Sequence, residues 1–180
     1  MISANRTATV RKVSCNLEMM LNGYWSKIMT NAVDIERAVS EGLKTLRSHG
    51  RSCDVSAEDL KRWFRADTLY PDIGIEDVIR NPLLVVHEIV EIDEVKKMGL
   101  DIGMKDVIIS NLELVDRAHL KAARIEMEIA YAMKNRTHLA ERIDDISNWS
   151  KDPSVEPEMR AKYAKMHLEA KGMLSQLDNK

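Results

Sequence analysis

The sequence predicts an all-α protein built as a multi-helix bundle. Only seven glycines and four prolines interrupt its 180 residues. No stretch alternates between apolar and polar residues with the period of two that marks a strand. Apolar residues are mostly Leu, Ile, Val, Ala and Met, including eleven methionines against one Phe. That composition is typical of helix packing rather than of sheets.

Three helices are predicted ahead of residue 70. The first covers about residues 7–21, and the second covers residues 24–48, where apolar residues recur at helical spacing. Gly50 supplies the stop for the second helix. A third, shorter helix begins after Ser56, a favourable N-cap residue, and runs to about Ala66.

A near-duplication follows these helices. Residues 72–86 and 101–115 are identical at eight of fifteen positions with an offset of 29. The next aligned pair is His87 and Asp116. We therefore predict a duplicated unit, a short turn followed by a long helix, over residues 72–98 and 101–135.

Capping residues predict where the two long helices begin. Asn81 caps the first, and Ser110 caps the second with Glu113 completing a capping box. The second helix is expected to run from residue 111 to at least residue 135, and the pattern allows it to continue through Ile146.

The carboxy-terminal part contains one more predicted helix. Residues 1–147 are predicted to form the bundle core, and residues 148–157, with two prolines, a hinge loop. The helix over residues 158–180 carries an apolar stripe that packs either on the core or on a partner subunit, which would make the protein a homodimer.

Charge and composition exclude several classes of partner. The net charge of −2 argues against a nucleic-acid surface. No apolar run is long enough to cross a membrane. The two cysteines, Cys15 and Cys53, form no disulfide framework, so a cytoplasmic location is expected.

The candidate site begins on the first long helix. Apolar residues cover nearly all sides of residues 82–98, which predicts a buried helix. Within it lie His87, Glu88 and Glu91. Glu94 shares the face of His87 and Glu91 and is expected at the solvated end of the helix. Buried carboxylates require a metal ion, a basic side chain or a shared proton.

The second long helix brings further ligand types. Asp116, His119 and Glu126 share one of its faces, and a short connection makes the two helices antiparallel neighbours. Imidazole with carboxylate suits a divalent transition metal such as Zn or Fe, and carboxylates alone suit Mg or Mn. We predict a metal site with these five ligands: His87, Glu88, Glu91, Asp116 and His119.

Other interpretations of the same residues stay open. His87 could be a core histidine that is hydrogen-bonded to a neighbouring carboxylate. Asp116 and His119 could face solvent. Glu88 and Glu91 could pair with basic residues on adjoining helices, the candidates being Arg62, Arg65, Arg117 and Arg124.

The run from Leu84 to Glu91, LVVHEIVE, resembles the apolar-apolar-His-Asp-x-x-Glu core of HD-type metal phosphohydrolases. Glu88 stands where that family has Asp. The resemblance implies that His87 and Glu88 bind a divalent metal and that Glu91 acts as general base in the hydrolysis of a phosphate ester.

A second pattern, Glu88-x-x-Glu91 followed after 21 residues by Glu113-x-x-Asp116, resembles the MazG-like all-α nucleotide pyrophosphohydrolases. In that family four acids hold Mg²⁺ ions that bind nucleotide phosphates. Both resemblances imply a divalent-metal-dependent phosphohydrolase that acts on a nucleotide-like substrate.

Two other function classes compete with a hydrolase. The chain could be a non-catalytic helical protein, such as an oligomeric scaffold or interaction module, whose polar residues serve packing. It could also be a transcriptional regulator, in which residues 54–64 and a second short helix after them imitate a helix-turn-helix. Nearby acidic residues offset the positive charge of its basic residues.

Overall fold

A computed structural model describes residues 34–68 and 73–178 of the chain. The regular elements in these ranges are all helices, which confirms the predicted all-α bundle. The chain divides into two compact units, Met1–Arg37 and Ala38–Lys180. In the first unit only residues 34–37 are described, and they are helical. The helix predicted over residues 7–21 lies outside the described residues, as does the first part of the helix predicted over 24–48.

Seven helical segments occur in the described ranges. Their bounds are α1 at 34–48, α2 Ala57–Trp63, α3 Ile75–Val78, α4 Pro82–Lys97, α5 Leu112–Ala132, α6 Arg136–Trp149 and α7 Pro157–Asp178. Gly50, with a φ of 71°, follows the end of α1 as predicted.

The predicted start of α2 is confirmed. The Ser56 side chain accepts a hydrogen bond from the Asp59 amide, and the Asp59 carboxylate accepts one from the Ser56 amide. This reciprocal pair is a capping box, which satisfies two backbone donors that the helix itself leaves open.

Helix α4 is the most deeply buried element near the site. Its start is confirmed: Asn81 accepts hydrogen bonds from two first-turn amides, and Pro82 follows at the position where its missing N–H costs nothing. Its apolar residues are buried on opposite sides of the helix, as the sequence predicted. At its other end the chain turns at Gly99, whose φ is 82°.

The second long helix differs from the prediction at both ends. The predicted Ser110 cap is wrong: Asn111 is the N-cap residue, and the Ser110 hydroxyl donates instead to Asp106. The helix stops at Ala132, because Lys134 takes a φ of 56°. Asn135 then caps α6 by accepting from the His138 amide. A helix continuing through Ile146 was therefore wrong, and the break separates two helices of the bundle.

Side-chain pairs show how the helices run. The pairs His87–Glu126 and Glu94–Lys121 make α4 antiparallel to α5. The pairs His119–Tyr163 and Arg124–Glu169 make α7 parallel to α5. Helix α6 also contacts α5 and α7. Helix α5 is therefore the element on which the other three pack.

Small and apolar residues allow this arrangement. Helix α5 buries four alanines, which permit close approach of its neighbours: Ala118, Ala122, Ala123 and Ala130. The stripe predicted on α7 is buried at Met159, Tyr163, Met166 and Ala170.

The loop before α7 covers residues 150–156, slightly less than the predicted hinge. The division into core, hinge and terminal helix stays a prediction, as does a homodimer through that helix. Within the described ranges, no helix combines the length and apolarity that crossing a bilayer requires.

Candidate metal centre

Two histidines and a glutamate meet in the interior between α4 and α5. One nitrogen each of His87 and His119 and one carboxylate oxygen of Glu91 all lie within 4.8 Å of one another. His87 and Glu91 are one helical turn apart, so both project from the same side of α4. The His87 Nε2 atom lies 3.3 Å from Glu91 Oε2. Imidazole and carboxylate groups at such separations form a ligand set of the kind that divalent ions use.

A fully buried carboxylate, that of Glu126 on α5, lies behind His87. Its Oε2 atom lies 2.7 Å from His87 Nδ1, and its Oε1 atom lies 2.5 Å from His138 Nε2 on α6. The Arg142 Nε atom is 3.8 Å from the same Oε1. Glu126 has no exposed surface. Three helices thus contribute polar groups to one interior cluster, which we call the Glu126 cluster: His87, Glu126, His138 and Arg142.

The charges of His87 and Glu126 stabilise each other. Burial by itself would lower the pKa of His87, but hydrogen bonds to Glu126 and Glu91 raise it to about 10. Burial would raise the pKa of Glu126, but hydrogen bonds from His138 and His87 lower it to about 2. In the absence of another cation, the His87 ring therefore carries a proton on each nitrogen and bridges two carboxylates.

His119 has the opposite character. Its Nδ1 atom is 2.8 Å from the Tyr163 hydroxyl, and its ring packs edge-on against His87 and Trp149. Burial lowers its pKa to about 4; nearby Glu91 acts against this shift and the charge of His87 adds to it. His119 is therefore neutral at pH 7, and a neutral imidazole can offer a lone pair to a metal ion.

Two of the five predicted ligands lie outside this close group. Among the described residues, the atoms within 4.8 Å of one another belong to His87, Glu91 and His119, without Glu88 or Asp116. Glu88 is partly exposed on α4. Asp116 is half-buried, and burial together with the charges of Glu91 and Glu156 raises its pKa. Asp116 is thus close enough to Glu91 to interact with its charge.

Three of the basic residues predicted as alternative partners form ion pairs with other acids. Arg62, Arg117 and Arg124 form ion pairs with Glu58, Glu113 and Glu169, respectively. In the described part of the chain, the ion pair of Glu91 is with His87. Glu94, which the sequence placed at a solvated helix end, is largely covered and pairs with Lys97 and Lys121.

Sequence reasoning did not assign four of the residues around the site. His138, Arg142, Trp149 and Tyr163 all come from α6 and α7. Asn135 before an amphipathic run was a signal for a new helix, and recognising it would have directed His138 and Arg142 toward α5. Nothing in the spacing of Trp149 and Tyr163 pointed to His119.

Comparisons of the chain with protein-family models, with curated proteins and with solved structures found no match. The two family resemblances therefore stay predictions, and the case for metal binding depends on the interior cluster.

Proposed function

We propose that this protein binds a divalent transition-metal ion through His87, Glu91 and His119 and hydrolyses a phosphate ester in a nucleotide-like substrate. The observation that supports metal binding is that three ligand atoms lie within 4.8 Å of one another between α4 and α5. The resemblance of the His87-Glu88-x-x-Glu91 run to metal phosphohydrolases supports the proposed hydrolysis of a phosphate ester.

One spacing between ligand atoms already fits a small ion. Ligands at about 2.0–2.2 Å from a tetrahedral ion are separated from one another by roughly 3.3–3.6 Å. The distance of 3.3 Å between His87 Nε2 and Glu91 Oε2 is already in that range. Two imidazoles with one carboxylate favour Zn²⁺, Fe²⁺ or Mn²⁺ over Mg²⁺, which prefers oxygen ligands.

A set of three protein ligands suits catalysis better than a purely structural role, because structural zinc sites normally have four. An ion held by these three side chains would leave a coordination position for water and would lower the pKa of that water. Asp116, whose pKa is raised by burial, is the carboxyl group beside Glu91 that we propose as the acceptor of a proton from this water; Glu91, predicted as the general base, is assigned to the ion instead.

The test combines metal content with hydrolysis. Metal-free protein is supplied with Zn²⁺, Mn²⁺, Fe²⁺ or Mg²⁺ and assayed on bis(p-nitrophenyl) phosphate and on nucleoside triphosphates. We expect activity with a transition ion that falls at least a hundredfold in His119→Ala. The control is His49→Ala, which removes an exposed histidine far along the chain from the cluster. If no substrate is hydrolysed with any of the four metals, the proposal that the protein is a hydrolase fails.

A second candidate is a non-catalytic helical protein in which these residues form a buried polar network. The observation that favours it is the doubly hydrogen-bonded His87, whose charge already offsets the carboxylates of Glu91 and Glu126. In that case the native protein takes up no metal, and His119→Ala changes stability alone.

A further inference from the structure

The role of Glu126 is not explained by packing. It is completely buried, and both of its oxygens accept hydrogen bonds from histidines on other helices. Removing a carboxylate from water costs several kcal/mol, and apolar side chains of similar size commonly serve stability as well or better. A buried charge with partners on two other helices therefore suggests a task beyond holding the helices together.

The atoms involved indicate that task. Glu126 binds Nδ1 of His87, whereas the other ring nitrogen, Nε2, faces Glu91. A histidine that binds a metal through one nitrogen usually donates its other N–H to a carboxylate or carbonyl, which fixes the tautomer and the ring orientation. Glu126 occupies that place relative to His87.

We infer that Glu126 is the positioning residue of the proposed metal centre: it keeps a proton on His87 Nδ1 and so leaves Nε2 to bind the ion. This inference depends on the proposed function. His138, which donates to the second oxygen of Glu126 at 2.5 Å, fixes the carboxylate from the opposite side. Asn135 in turn holds the first turn of α6 that carries His138.

The native protein provides the first test. Nitrogen-15 NMR of the imidazoles in protein saturated with Zn²⁺ reports which nitrogen of each histidine carries a proton. We expect His87 to have a proton on Nδ1 and the metal-shifted signal on Nε2. A metal-shifted Nδ1, or a proton on Nε2, would overturn the inference and leave metal binding intact.

The second test replaces the carboxylate. Glu126→Gln keeps the side-chain shape, and Glu128→Gln, two residues along α5 in a partly exposed pair with Arg51, is its control. For folded Glu126→Gln, as judged by circular dichroism, we expect Zn²⁺ affinity to fall by about 10- to 100-fold. The visible absorption of bound Co²⁺ should also change. The control should bind as native does.

The outcomes separate the two proposals. If native protein binds no Zn²⁺ or Co²⁺, the metal centre fails, and the inference fails with it. If native binds the ions and folded Glu126→Gln binds with the same affinity and the same Co²⁺ spectrum, only the inference fails. If Glu126→Gln does not fold, the imidazole signals of the native protein decide.

Discussion

The Nδ1 atom of His87 lies 2.7 Å from Oε2 of Glu126, in a hydrogen bond that joins α4 to α5 inside the bundle. The two residues are 39 positions apart in the chain. This bond determines the electrostatics of the site, because each group holds the other in its charged form. It also directs Nε2 of the same ring toward Glu91, where the proposed ion would bind.

The metal-free protein should be most stable near pH 6.5. The pKa of His87 is raised to about 10, so its stabilising effect is complete below pH 6.5 and is lost as the pH rises toward 10. The pKa of His119 is lowered to about 4, so between pH 6.5 and 4 the unfolded chain binds a proton that the folded chain does not. Stability therefore also falls as the pH falls through that window.

Urea unfolding across the pH range measures this effect. Each group changes the free energy of unfolding by at most about 1.4 kcal/mol per pH unit within its window. His87→Gln should remove the alkaline decline and keep the acid one. A native stability that is level from pH 6.5 to 9 would contradict the assigned state of His87.

Removing the Tyr163 hydroxyl should destabilise the protein. Tyr163→Phe leaves His119 Nδ1 without this hydrogen bond in a part-buried place, so we expect a loss of about 1–3 kcal/mol in the free energy of unfolding. The matched control is Tyr131→Phe, whose hydroxyl donates to Gln176 in an exposed pair and whose loss should cost under about 0.5 kcal/mol. Equal losses in the two variants would show that His119 does not depend on Tyr163.

Two exposed serines should respond differently to replacement by alanine. Ser56 caps α2 in a capping box, so Ser56→Ala should cost about 1 kcal/mol. The exposed Ser110 lies before the N-cap of α5, and its hydroxyl bonds to Asp106 rather than to a helix amide, so Ser110→Ala should cost less than about 0.5 kcal/mol. Thermal unfolding measures the stability loss in each variant. A larger loss for Ser110→Ala than for Ser56→Ala would show that Ser110 caps α5, as the sequence predicted.

Two helical glycines provide another matched pair. A Cβ at Gly172 meets nothing within 4 Å, so Gly172→Ala should raise the free energy of unfolding by about 0.5–1 kcal/mol through helix propensity. A Cβ at Gly42 would lie 2.7 Å from Ile89 Cδ1 and 3.0 Å from Val85 Cγ1, both in the buried core. Gly42→Ala should therefore lower the free energy of unfolding. An equal gain in stability from both substitutions would contradict close packing of α1 on α4.

Much of the fold could be predicted from sequence because the capping residues and the hydrophobic periodicity agree with how the helices pack in the bundle. The absence of strand periodicity, the Asn81 cap and the all-round apolar α4 each predicted what the structure contains. The Ser110 cap failed because Asn111, immediately after it, takes the N-cap place. The end of α5 was missed because Lys134, an ordinary helix former, adopts positive φ there.

The site could be predicted only in part. Helical spacing placed His87 and Glu91 on one face, and the short connection correctly predicted an antiparallel neighbour carrying His119. The same spacing could not choose between Asp116 and Glu126 as the closer partner of His87, because both share a face of α5. Which of the two residues lies beside His87 depends on the axial register between α4 and α5. Side-chain packing over the whole interface determines that register.

Anomalous diffraction from crystals grown with Zn²⁺ tests the central claim most directly. The account predicts one peak per chain, bonded to His87 Nε2, Glu91 and His119 at about 2.0–2.2 Å. Density that instead shows His87 still bridging Glu91 and Glu126, with zinc absent or bound only at the protein surface, would contradict it.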